Sequence, residues 1–60
     1  MTENEFVEAL RQELAWRGLH FDPAEVGHFV AAEWAGIEQD PDPWSWGHQF
    51  LIRGYPESPG

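Results

Sequence analysis

Neither cysteine nor lysine occurs in this 60-residue chain. The missing cysteine excludes disulfides and thiolate metal sites, and it fits a reducing compartment. The missing lysine leaves three arginines to face eleven aspartates and glutamates, for a net charge of −8 with neutral histidine. A field of that sign repels nucleic-acid phosphate and anionic lipid, so neither direct nucleic-acid binding nor membrane binding is expected. It keeps a small domain soluble, and it favours encounter with a basic partner. No apolar run approaches the roughly 20 residues that span a bilayer. The segment Met1-Thr2-Glu3-Asn4-Glu5 is acidic and polar, whereas a secretory leader begins basic and then turns apolar. These features predict a cytoplasmic protein. Arginine without lysine, together with much Ala, Gly, Pro and Trp, suggests a GC-rich bacterial or phage source.

A chain of this size buries only roughly 60% of its unfolded surface, so it needs a staple, very dense packing or self-association. With disulfides excluded, the last two remain. The chain has four Trp, four Phe and one Tyr, and each aromatic can bury about 150–250 Å². Aromatic content can therefore supply the core that length cannot.

The strongest internal pattern is a frame of 20 residues. Asp22-Pro23-x-x-x-Gly27-His28 returns as Asp42-Pro43-x-x-x-Gly47-His48, and the frame extends back to Thr2 without its Pro, Gly or His. Helix-starting residues fall at Thr2, Asp22 and Asp42. Apolar residues follow four places later at Phe6, Val26 and Trp46, and four later again at Leu10, Val30 and Phe50. The frame predicts an all-α, compact three-helix domain, with helices over about 3–17, 23–36 and 43–53. Residues 1–54 form that single domain and residues 55–60 a frayed, flexible C-terminal tail.

Local chemistry supports each helix. Thr2-x-x-Glu5 is a capping box, and Phe6, Leu10 and Leu14 form one apolar stripe with Val7 beside it. Gly18 suits the left-handed position beyond the first helix. Asp22 is a good N-cap, Pro23 fits the first helical position, and Asp22-x-x-Glu25 resembles a second capping box. Phe21 and Val26 can staple that helix start. Its core stripe is Val26, Phe29, Val30, Trp34 and Ile37, and Gly36 or the residues after Ile37 end it. The connector from Glu38 to Pro43 is acidic, and its prolines stiffen it. Trp46 and Phe50 pair on the last helix, with Trp44, His48 and Leu51 on an adjoining face. Gly54 is its C-cap.

Chemistry-bearing motifs are few. His20, His28 and His48 invite a metal, since imidazole binds Zn, Cu and Ni. No two of them are four apart on one helix, and no established ligand spacing is met. Gly27 and Gly47 read instead as close-packing positions, with His28 and His48 at the edge of the contact. From Asp40, the places where a calcium loop needs a ligand, a glycine and a glutamate hold Trp44, Ser45 and Leu51, so that match fails. Ser45 and Ser58 are the only serines, and nothing positions a nucleophile–base pair. The glycines are scattered singly, so no phosphate cradle exists. Neither enzyme activity nor a cofactor is expected.

The tryptophans carry the functional expectation. Trp34 and Trp46 lie on core stripes and are expected to be buried. Trp16 and Trp44 lie off them, and Trp is over-represented among binding hot spots. The sequence therefore points to a small acidic, non-enzymatic interaction module that uses Trp16 and Trp44 to bind a protein partner or a second copy. The alternative is an acidic inhibitor that mimics nucleic acid before a DNA- or RNA-handling protein. A histidine-based metal domain comes third.

Overall fold

The structure, a computed structural model, describes residues 1–58. Four helices follow one another: α1 (Glu3–Trp16), α2 (Pro23–Ala32), α3 (Trp34–Gln39) and α4 (Pro43–Ile52). No strand occurs among the described residues. The starts of α1, α2 and α4 fall where the 20-residue frame sets them. The Thr2 hydroxyl accepts from the Glu5 amide at 3.2 Å, and the Glu5 carboxylate accepts from the Thr2 amide at 2.9 Å. Asp22 accepts from the Ala24 amide at 2.9 Å, and Asp42 from the Trp44 amide at 3.1 Å. Asp42 also accepts from the Ser45 hydroxyl. The Asp22 cap is simpler than the expected box, because the Glu25 side chain makes no reciprocal bond to the Asp22 amide.

The all-α expectation holds, and the count of three helices is corrected to four. Glu33 lies at φ −105°, ψ 12°, outside the helical basin, and divides the expected 23–36 helix into α2 and α3. The ladder bends there without being cut, since the Glu33 amide still donates to Phe29 and its carbonyl accepts from Ile37. No Pro or Gly marks the spot. Tertiary contacts meet it: Arg53 pairs with Glu33 from the far end of α4, and the Trp46 ring lies against Gly36.

α1 packs against both α2 and α4, and α3 follows α2. Phe6, Leu10, Leu14, Val26, Phe29, Val30, Ile37 and Phe50 are completely or almost completely buried, and no polar side chain is buried with them among the described residues. The frame is thus a core frame as well as a capping frame. Phe6 and Val26 fill its first apolar place, and Leu10, Val30 and Phe50 its second. Trp46 departs from it. Trp34 and Trp46, expected to be buried, are half-buried and packed against the core's edge. For Trp46 the reason is its indole N–H, which needs a partner and donates to the Asp40 carbonyl at 2.7 Å in the exposed connector.

Both C-terminal glycines take the left-handed conformation, Gly18 at φ +76° and Gly54 at φ +77°. After α1 the Leu19 amide donates to Leu14 and the Gly18 amide to Ala15, the two bonds of a Schellman turn. After α4, Gly54 turns the chain so that Tyr55 stacks on Phe50, with ring centroids 4.6 Å apart and planes at 2°. The chain expected to fray from Tyr55 instead runs back over the core, and the Ser58 amide donates to the His20 carbonyl at 2.8 Å. The physical reason is the apolar contact that a left-handed cap sets up between the residue after the glycine and the last helical turn. Residues 59–60 of the expected tail lie outside the described residues.

The repeated glycines need not be glycines for packing. A Cβ built at Gly27 meets nothing within 4 Å, which corrects its assignment as a close-packing position. At Gly47 a Cβ lies at ordinary contact distance, 3.5 Å from Leu10 Cδ1 and 3.6 Å from Glu13 Cγ. Gly27→Ala and Gly47→Ala should therefore each stabilise the protein by about 0.5–1 kcal/mol, the helix propensity gained without a clash. Thermal unfolding of the two variants checks this, and a loss of stability at Gly47 would show that α4 cannot accommodate the methyl.

The capping box also has a pH signature. The Thr2 amide, then the Thr2 hydroxyl and then the terminal ammonium hold the Glu5 carboxyl below its usual value. A depressed carboxyl contributes stability that is present above its unfolded-state value and is lost as pH falls through the folded one. Carbon-detected NMR titration should find Glu5 protonating below the usual glutamate range, and Thr2→Val, which removes the hydroxyl, should move it back up. A titration of Glu5 at the usual glutamate value would mean that the box does not persist in solution.

Candidate functional site

α1 leaves Trp16 outside the core by simple periodicity. Its buried residues are Phe6, Leu10 and Leu14, and Trp16 lies two places beyond Leu14, about 200° around the helix. Its side chain is 87% exposed. Trp44 stands at the second position of α4 and is 61% exposed. The residue after Trp16 reaches Trp44. The Arg17 guanidinium donates to the Trp44 carbonyl at 3.2 Å and lies 5.8 Å from the centre of the Trp44 ring. On α4, His48 stacks against Trp44, with centroids 6.2 Å apart and planes at 17°. Trp44 is therefore exposed yet held, by a cation and by an imidazole one turn on. Among the described residues no ring or guanidinium stacks on Trp16.

Sequence reasoning singled out Trp16 and Trp44 and missed Ile52. Ile52 is 67% exposed on the last turn of α4. Trp44, His48 and Ile52 are spaced four apart, so they share one face of α4. No charged residue occurs between Asp42 and Arg53. The sequence signal for this face is that four-residue spacing, which the pairing of His48 with Leu51 on an adjoining face hides. Leu51 is half-buried and belongs to the core's margin.

The charges are arranged unevenly. Each arginine pairs within the chain: Arg11 with Glu8 at 2.9 Å, Arg17 with Glu13 at 3.7 Å, and Arg53 with Glu33. The eight remaining carboxylates account for the net charge. They are divided among the starts of α1 and α2, Glu38 near the end of α3, the connector with Asp40 and Asp42, and Glu57.

The histidines do not converge. His20 lies in the α1–α2 connection, His28 is exposed on α2, and His48 stacks on Trp44. No group of three His, Asp or Glu among the described residues is placed to hold a metal ion. The cavity beside His20, with Arg11, Leu14, Phe21 and Val26 in its wall, measures about 180 Å³. Small-molecule sites usually occupy about 300–1,000 Å³. The depression along Asn4, Glu5, Glu8, Ala9 and Gln12 is larger, about 540 Å³, but lies open on the surface of α1. No described helix is long and apolar enough to cross a membrane. Comparison with protein families, with curated proteins and with solved structures finds no match for this chain.

Arg17 is the positioning residue of this surface. Arg17→Met, which keeps the aliphatic stem, should loosen Trp44 and lower stability by about 0.5–1 kcal/mol, the worth of an exposed cation–π contact and ion pair. The check is the Trp44 indole in ¹⁵N relaxation measurements. An unchanged order parameter would show that His48 alone holds the ring.

Proposed function

We propose that this protein is a small acidic, non-enzymatic interaction module that binds a protein partner through the exposed Trp16 and Trp44. The observation that carries the reading is Trp44 itself, a large aromatic at the surface whose orientation is maintained by Arg17 and His48. Holding an exposed anchor in place reduces the ordering cost at binding. Trp is also a side chain on which interface energy concentrates. Trp16 is next in sequence to the arginine that holds Trp44, about 100° around α1 from it, and is itself exposed. The acidic surroundings add steering towards a basic partner and little else, since net charge governs association rate more than affinity. The competing reading, an acidic mimic of nucleic acid, draws on the net charge alone. The carboxylates without a cationic partner lie on several elements and do not line one helix face.

The test is affinity capture from the source cell with the intact protein and a Trp16→Ala/Trp44→Ala double variant. Both substitutions remove exposed side chains, so the fold should survive them. A protein retained by the wild type and lost by the variant is the expected outcome. Equal capture by both, or capture by neither, overturns the reading.

A further inference from the structure

Asp-Pro occurs three times in this chain, at Asp22-Pro23, Asp40-Pro41 and Asp42-Pro43. In each, the aspartate carboxylate can reach the carbonyl carbon of its own residue and close a five-membered ring. Proximity of that kind makes an intramolecular attack by a carboxylate effective. The leaving group is favourable as well. A proline nitrogen belongs to a tertiary amide without an N–H, and it is more basic than an ordinary peptide nitrogen, so it takes up a proton more readily.

The fold treats the three bonds differently. The Asp22 carboxylate accepts from the Ala24 amide at 2.9 Å. The Asp42 carboxylate accepts from the Trp44 amide at 3.1 Å and the Ser45 hydroxyl at 2.9 Å. Either would have to abandon its helix cap, worth about 1 kcal/mol, before it could attack. Asp40 lies exposed between α3 and α4. Its carboxylate has no hydrogen bond or ion pair among the described residues, whereas its carbonyl oxygen accepts from the Trp46 indole N–H at 2.7 Å and the Asp42 amide at 2.8 Å. The Asp22 and Asp42 carbonyls also accept, from helix amides at 3.0 to 3.2 Å. The free carboxylate is thus the main difference, and the shorter pair of donors is the second. Two donors on one oxygen stabilise an oxyanion, because each bond strengthens as the oxygen becomes charged. Trp46 is itself held in place, with its ring against Gly36 and edge-on to Phe29.

We infer that this chain cleaves itself between Asp40 and Pro41. An oxygen of the Asp40 carboxylate attacks the Asp40 carbonyl carbon, and the carbonyl oxygen becomes an oxyanion held by Trp46 Nε1 and the Asp42 amide. Collapse of this intermediate breaks the C–N bond, and the electron pair leaves on the Pro41 nitrogen, which takes a proton from solvent. Asp40 is left as a cyclic anhydride. Water opens it to two carboxylates, so one water is consumed in all and nothing is oxidised or reduced. The titratable neighbours are Glu38, which shares a cavity wall with Pro41 and Met1, and Asp42 in the next cap. The three arginines are engaged with Glu8, Glu13 and Glu33. The products are residues 1–40, with α1, α2 and α3, and residues 41–60, with α4 and Trp44. After the cut α4 is retained only by its packing against the other helices. The reaction occurs once per chain and does not depend on the proposed binding role.

Mass spectrometry of the intact purified protein, incubated for days at about pH 5 and about pH 8, tests it, since acid supplies the proton that the leaving nitrogen needs. The expected result is that fragments 1–40 and 41–60 accumulate several-fold faster in the acidic sample, with no cut after Asp22 or Asp42. Asp40→Ala removes the nucleophile at an exposed position and should abolish the cut. Trp46→Phe keeps a ring against Gly36 and loses the N–H. It should slow the cut on the order of tenfold, the low end for one oxyanion donor because the site is open to water. The wild type in guanidinium provides a comparison that needs no variant. Unfolding frees the two capping carboxylates and removes the donors, so all three Asp-Pro bonds should then cut at comparable rates, each more slowly than Asp40-Pro41 does in the folded chain. A chain that stays whole at both pH values overturns the proposal. So does equal cutting at the three bonds in the folded protein, a folded chain no faster than the unfolded one, or an unchanged rate in Asp40→Ala or Trp46→Phe.

Discussion

The ring of Phe50 is where this chain meets itself. It lies edge-on to Phe21 at 4.9 Å and to Phe29 at 5.2 Å, and flat against Tyr55 at 4.6 Å. Those contacts join the α1–α2 connection, α2, α4 and the segment after α4. Edge-to-face and offset aromatic pairs contribute about 0.5–1.5 kcal/mol beyond the area they bury, which matters when the whole domain is small. The buried stripe of α1, Phe6, Leu10 and Leu14, supplies the other wall. α4 is short, contains a central glycine and would not persist alone. Its place is secured by Phe50 on one side and by Gly47 lying across Leu10 and Glu13 on another.

The same economy governs the charges. Three arginines serve three local purposes, and each is engaged with a carboxylate of the chain. Arg17 and Arg53 do more, since their guanidinium groups also lie near aromatic rings, Trp44 and Phe29 respectively. Such exposed pairs contribute little to stability individually. Their larger effect is on direction: Arg17 sets where Trp44 points, and Arg53 meets the bend at Glu33. What remains is a surface with no uncommitted arginine, a field of carboxylates and an uncharged helix face.

Much of this was legible in the chain because it depends on neighbours in sequence. Caps at Thr2, Asp22 and Asp42 are short-range hydrogen bonds, and the buried residues of α1 and α2 follow from a period of 3.6. The exposure of Trp16 follows from the same periodicity. Other features were not legible for an equally physical reason. The bend at Glu33 carries no Pro or Gly, so only the contacts with Arg53 and Trp46 account for it. The docking of Tyr55 depends on a left-handed glycine followed by an aromatic, a signal present in Gly54-Tyr55 but outweighed by the prolines that follow. Ile52 reads as one more apolar residue in an apolar helix, and only the packing of α4 leaves its face open.

By itself, the sequence determined where α1, α2 and α4 begin, which residues of α1 and α2 turn inward, and that the molecule would be acidic. These are properties of hydrogen-bond caps, helical period and composition, and none needs a distant partner. The tertiary structure alone decided that α2 and α3 are separate, that Trp46 stops half-way into the core, and that the chain after Gly54 returns to Phe50. It also decided that Arg53 would pair with Glu33 and that one face of α4 would be left uncovered. Each of those depends on how separate elements meet, which local pattern does not specify.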